Sequence, residues 1–154
     1  MLVIAIQNTR IKYDGIIAQY LYNEAIKSIY LHYYNLDITD IVICGHSNCA
    51  AIKSCEDSIY QSLPDGLKNW IGIIKSQLDL SANYTDLNQA IRQNVLNQMA
   101  NLKKYPDVQK KLAMGTLNIH AWFFNFNQSM IYEWDANKQS FDSLVNEEKL
   151  LLPG

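Results

Sequence analysis

The sequence lacks any apolar run approaching the ~18 residues that a membrane-spanning helix needs. Its apolar start, Met1-Leu2-Val3-Ile4-Ala5-Ile6-Gln7, has neither the basic flank nor the length of a signal peptide, so the expectation is a soluble, cytoplasmic protein. Cysteine is scarce too. Only Cys44, Cys49 and Cys55 occur, an odd and crowded set that is not the framework of a disulfide-stapled secreted domain and that fits a reducing compartment. Lysines are scattered or merely paired, as in Lys103-Lys104 and Lys110-Lys111, and the net charge is −2, so no basic stripe is present to hold nucleic acid. No internal repeat and no low-complexity tract occurs.

What is present is a chain of 154 residues with 49% hydrophobic content, enough for one domain over residues 1–154 and short of what two would need. A small neutral or anionic substrate suits its charge. Ten tyrosines are more than a core of this size hides easily, and Tyr30, Tyr33 and Tyr34 fall in one helical segment, which suggests contact with a second copy.

Periodicity then orders the elements. Met1 to Ile6 reads as a buried strand, Asn8 to Gly15 as a polar connection, and Ile16 to Asn35 as a helix with Ile17, Tyr20, Leu21, Ala25, Ile29, Tyr30 and Tyr33 in its stripe. Ile41 to Cys44 is a second strand, and Cys49 to Cys55 is the helix that follows it. Ser58 to Gly66 reads as a loop around Pro64, Leu67 to Leu78 as a helix, and Asp86 to Lys104 as a longer helix stopped by Tyr105-Pro106. Val108 to Met114 makes a short helix closed by Gly115, Leu117 to Phe123 and Ser129 to Trp134 are strands, and the tail is a charged, loosely held end. Strand–helix alternation with apolar strands predicts an α/β domain on a mostly parallel β-sheet flanked by helices.

The chemistry is concentrated where the second strand ends. Gly45-His46-Ser47-Asn48-Cys49 delivers an imidazole and a thiol three residues apart, and these are the donors zinc prefers. A catalytic zinc takes three protein ligands and keeps a fourth position open, so His46 and Cys49 read as half of such a site. Cys44 reads as a small buried hydrophobe. Cys55 lies six residues past Cys49, roughly 9 Å along a helix at 1.5 Å per residue, too far to share a tetrahedral site. His120, beside Trp122 on an apolar strand, reads as a hydrogen-bonded core residue, and His32 has no partner motif. A different chemistry for the same pair is a nucleophilic Cys49 with His46 as its base, although neither an oxyanion donor nor an orienting acid accompanies it.

Gly45-His46-Ser47-Asn48-Cys49-Ala50-Ala51-Ile52-Lys53 resembles the second metal motif of the β-class carbonic anhydrases. Upstream, Asn8, Tyr13-Asp14 and Ala25-Ile26-Lys27-Ser28-Ile29 resemble the plant-type branch of that family. Downstream, the likeness continues through Asn94-Val95 to Leu102, Tyr105-Pro106-Asp107-Val108, Leu112, Gly115-Thr116-Leu117 and Ile119-His120-Ala121-Trp122, covering residues 1–135 or so. The resemblance implies a β-carbonic anhydrase-like fold and a homo-oligomer, a dimer or larger. It also implies a zinc enzyme that interconverts carbon dioxide and bicarbonate, with the metal held by Cys, His and Cys.

His46 and Cys49 match the second and third of those ligands. In the family the first ligand belongs to a Cys-x-Asp-x-Arg motif on an earlier strand, whose Asp-Arg pair orients the zinc-bound water, and this chain contains no such motif. Met1 to Ile6 matches the family's second strand, so the resemblance implies an N-terminally incomplete relative. Such a chain is either the product of a split gene or internal start, or a short, catalytically inactive scaffold and interaction protein. A sheet without that central strand is expected to be a poor free-standing fold. Leu31 stands near the place of a substrate-pocket tyrosine in plant-type members, flanked by Tyr30 and Tyr33.

Overall fold

Ile41, Val42 and Ile43 are consecutive apolar residues, the signature of a strand buried on both faces, and all three are at most 2% exposed. They lie in the middle of the longest strand among the described residues. The computed structural model describes residues 2–7, 15–16, 38–78 and 86–144. In chain order the elements are β1 (Leu2–Gln7), β2 (Gly15–Ile16), β3 (Ile38–His46), α1 (Ala50–Lys53), α2 (Asp57–Ser62), α3 (Asp65–Gln77), α4 (Leu87–Leu102), α5 (Pro106–Ala113), β4 (Asn118–Asn125), β5 (Met130–Asp135) and β6 (Ser140–Ser143). These strands form one sheet in the order β2-β1-β3-β4-β5-β6.

The α/β class expected from the sequence is what the chain adopts. Its mostly parallel sheet narrows, among the described strands, to the β3–β4 pair, which runs from Asp40↔Asn118 to His46↔Phe124. The reason lies in the connections. The helices between β3 and β4 supply a crossover long enough for parallel pairing, whereas the short turns joining β4, β5 and β6 force the chain to reverse. On the other side, β1 lies antiparallel along β3 from Leu2↔Cys44 to Gln7↔Ile38, so β3 is paired on both edges.

Helix α4 is laid across the sheet by its apolar stripe. Val95 and Leu102 pack with Ile41, Ile43, Val108, Leu117 and Ala121 in one cluster. Ala90 and Ile91 belong to a second cluster with Ile52, Cys55, Ile71, Leu78 and Phe123. The Asp86 side chain caps α4 by accepting from the Gln89 N–H at 2.9 Å. Pro106 opens α5, and Gly115 follows it with the left-handed φ of 66° that a helix stop favours. Among the described residues no helix is long and apolar enough to cross a membrane.

Four local expectations are corrected. The Ser58–Gly66 loop is instead α2 and the start of α3, held together by bonds that no short window reveals. Tyr60 donates to the Lys68 carbonyl at 3.3 Å and Lys68 to the Gln61 carbonyl at 2.8 Å. The Cys49–Cys55 helix ends at Lys53 and the chain turns. Gly15 and Ile16 pair with Ile4 and Val3 rather than closing a connection and opening a helix. The tail read as loose contains β6, whose Phe141 ring packs against Trp134 at 5.4 Å between centroids. The expected helix from residue 17 to 35, with its tyrosines, Leu31 and His32, lies outside the described residues, as does the tail from 145 onward.

On the sheet face opposite Ile41 and Ala121, His120 bridges three strands. Its Nδ1 lies 2.6 Å from Glu133 Oε1 and its Nε2 3.1 Å from Asp40 Oδ1. Burial disfavours the imidazolium, but the bonds to Glu133 and Asp40 and their negative charge outweigh it, so the pKa of His120 rises above 6.5. Burial likewise opposes charge on Asp40, and hydrogen bonds from Thr39, His120 and Asn118 overcome it, holding its carboxyl below 3.8.

The raised His120 pKa contributes stability that is complete below 6.5 and is lost as pH rises through the folded value. The lowered Asp40 pKa contributes stability that is present above 3.8 and is lost as pH falls through the folded value. The difference in unfolding free energy between the native chain and His120→Gln is therefore expected to be largest between 3.8 and 6.5 and to shrink in alkaline solution. These side chains are about a third exposed, so a difference of about 1–2 kcal/mol is expected, read from urea midpoints across pH.

Candidate metal centre

Strand alternation places Val42, Cys44 and His46 on one face of β3 and Ile41, Ile43 and Gly45 on the other, against α4. Gly45 is a strand residue, so the strand runs past the Cys44 end expected from the sequence. A Cβ built on it would meet Val95 Cγ2 at 2.6 Å and Ile91 Cγ2 at 3.0 Å, so glycine is what lets α4 approach the end of the strand. The turn itself is Ser47-Asn48, with Asn48 in the left-handed region at φ 59°, a conformation asparagine tolerates.

His46 is the last residue of β3, and its Nδ1 lies 3.0 Å from the Ser47 carbonyl oxygen. A carbonyl only accepts, so in the neutral ring Nδ1 carries the proton and Nε2 keeps the lone pair that a metal requires. The ring packs beside Phe126 at 5.4 Å, and Phe126 meets Phe124 edge-on at 5.0 Å. Cys49 stands at the N-cap of α1 with an extended backbone, its side chain half-buried beside the cluster that contains Ile52 and Cys55.

The thiols of Cys44 and Cys55 stay protonated. Burial pushes up the Cys44 pKa, and its Sγ–H donates to the Gly45 carbonyl at 3.3 Å. Burial takes Cys55 up to about 11 despite nearby Lys75, and its Sγ–H is 3.6 Å from the Ala51 carbonyl. Cys55 does not lie six residues along one continuous helix from Cys49. In the structure the chain has already left α1, and the thiol is closed off by burial instead.

Val42 pairs with His120 where His46 pairs with Phe124, so His120 lies four residues down the sheet, about 13 Å from the His46 turn at ~3.3 Å per residue. It is hydrogen-bonded as expected, but half-buried rather than in the core, with carboxylate partners that its local sequence does not announce. Imidazole and thiol are donors of the right kind for zinc, but among the described residues no three His, Cys, Asp or Glu side chains converge on one point. The orienting group for His46 is a backbone carbonyl rather than an acid, which leaves the Cys–His nucleophile arrangement without its third member.

Sequence reasoning missed Ser47. It is 3% exposed, its N–H donates to the Phe124 carbonyl at 2.9 Å, and its Oγ accepts from the Phe126 N–H at 2.9 Å. Both bonds tie the turn to the end of β4 and the residue beyond it. Nothing in the sequence distinguishes this buried serine from its exposed neighbour Asn48.

A family model described as carbonic anhydrase matches residues 8–131. A carbonic anhydrase of Pseudomonas aeruginosa is 30% identical over 128 residues, covering 77% of this chain and 57% of that protein. One from Synechocystis is 31% identical over 117 residues, covering 69% and 42% respectively. The chain spans about half the length of the curated relatives it matches. Among solved structures, the β-carbonic anhydrase CcaA superposes with a TM-score of 0.67 at 23% identity, over 85% of this chain and 62% of that one. A structure of tetrameric β-carbonic anhydrases from Sordaria macrospora gives a TM-score of 0.58 at 22% identity, over 73% and 60%. With the family match spanning most of its length and the same fold in these neighbours, the chain belongs to the β-carbonic anhydrase family.

Proposed function

We propose that this chain holds zinc through His46 and Cys49 and serves the reversible hydration of carbon dioxide to bicarbonate. The observation that carries the reading is the His46 ring, whose Nδ1 is given to the Ser47 carbonyl so that Nε2 is free to bind metal at a turn that also presents a thiol. Zinc at such a site supplies the Lewis acidity that makes water a nucleophile near neutral pH. The chain's own residues bind the metal (His46, Cys49), orient the imidazole (Ser47), and offer a half-exposed aromatic wall beside it (Phe126) suited to a small apolar gas. No residue is assigned a proton-transfer role. The third protein ligand comes, on this reading, from outside the described residues.

The working form proposed is a cytoplasmic homo-oligomer, in line with the tetramers named for the similar Sordaria structure. A second reading is a catalytically inactive scaffold or a gene fragment, favoured by the lack of a three-donor cluster among the described residues. Zinc content of protein purified without added metal separates the two. The enzyme reading expects about one zinc per chain, and loss of nearly all of it together with carbon dioxide hydration in His46→Ala. A native chain without metal overturns that reading and leaves the scaffold.

A further inference from the structure

Ser47 makes three hydrogen bonds in three directions. Its N–H goes to Phe124, its hydroxyl oxygen takes the Phe126 N–H, and its carbonyl takes the His46 Nδ1–H. In water a neutral histidine side chain favours the opposite tautomer, with the proton on Nε2, so the fold has to supply the bond that reverses the preference. A carbonyl can do this only if its peptide cannot rotate away. Two bonds to residues 124–126 restrain Ser47, and its burial at 3% exposure keeps water from competing for them. The residue whose amide anchors the hydroxyl also lays its ring beside the imidazole.

We infer that Ser47 is a positioning residue: its hydroxyl, anchored on the Phe126 amide, holds its own carbonyl where it fixes His46 in the Nδ1–H tautomer and leaves Nε2 as the electron pair offered to metal. The metal that Nε2 meets rests on the proposed function. The tautomer does not, and it is a property of the metal-free chain.

The test is a long-range proton–nitrogen correlation spectrum of the ¹⁵N-labelled full chain, metal-free, at about pH 8 where an ordinary imidazole is neutral. The native chain is expected to show His46 with Nδ1 protonated. Ser47→Ala is expected to move the tautomer ratio toward Nε2–H at least about fivefold, and to weaken zinc binding about 10- to 100-fold where the native chain binds it. Ser47→Thr, which keeps the hydroxyl, is expected to keep the native tautomer.

A folded Ser47→Ala chain whose His46 retains the full native tautomer overturns the inference. If Ser47→Ala does not fold, amide exchange in the native chain decides. A Phe126 amide as protected as those of β4 supports the anchor, and one exchanging at the rate of an open turn overturns it. A native chain that binds no zinc but shows the tautomer shift on substitution sinks the proposed function and leaves the positioning role intact. Zinc bound with no tautomer shift does the reverse.

Discussion

Phe123→Ala is expected to lower the unfolding free energy by about 3–5 kcal/mol, toward the upper end of what aromatic truncation costs. The ring is 0% exposed and sits among Ile52, Cys55, Ile71, Leu78, Ala90 and Ile91, so the cavity has packed walls on the helix side that cannot close over it cheaply. A second loss comes with it. The guanidinium of Arg92 lies 4.6 Å from the Phe123 ring, with Tyr132 at 5.6 Å and Phe141 at 5.7 Å, and its Nε is buried with no hydrogen-bond partner among the described residues. The aromatic faces stand in for an acceptor there, so removing the nearest takes away the π-face closest to a half-buried cation. Urea denaturation of the native chain, Phe123→Ala and Phe123→Leu reads this. Leucine restores most of the volume but no π-face. A loss below about 1.5 kcal/mol for alanine would mean that the cluster collapses freely and that Arg92 finds another partner.

Gly45→Ala is expected to cost about 2–3 kcal/mol although it adds a single methyl group. The added carbon would overlap Val95 Cγ2 at 2.6 Å, and Val95 is itself 0% exposed and β-branched, with little rotameric freedom to retreat. Either α4 lifts from the sheet or the end of β3 shifts, and the second alternative moves His46. The partner substitution identifies the cause. Combining Gly45→Ala with Val95→Ala removes the clashing methyl, and the double variant is expected to be more stable than the sum of the single effects by at least about 1 kcal/mol. Strict additivity in the urea midpoints would show that the glycine is needed for something other than its contact with α4.

How much of this was legible varied with where the determining interaction lies. Helix α4 could be read almost to its ends, because its stripe is sixteen residues long and Asp86 caps it from within the same stretch. Helix α2 and strand β6 could not. The first has no buried residue and is held by bonds from Tyr60 to the Lys68 carbonyl and from Lys75 Nζ to Asp57 Oδ1 at 2.7 Å, and the second has one aromatic in four residues.

At the site, His46 and Cys49 stood out because their side-chain chemistry is diagnostic wherever they fall. Ser47 did not, because its importance resides in a backbone amide 79 positions away. The same distance in sequence hid the Asp40–His120 contact, whose partners are 80 positions apart.

The parallel β3–β4 pair has a kinetic consequence. Asp40 and Asn118 are neighbours in the sheet but 78 positions apart along the chain, while β4, β5 and β6 follow one another through tight turns. The hairpins can zip locally on a scale of about 1–10 μs, whereas the β3–β4 ladder must wait for a long closure whose entropy is spent before any contact rewards it. The bonds from Ser47 to Phe124 and Phe126 close across that same gap. The geometry around His46 therefore depends on that long closure, and a chain in which it has not yet formed has the two donors without the arrangement that aims them.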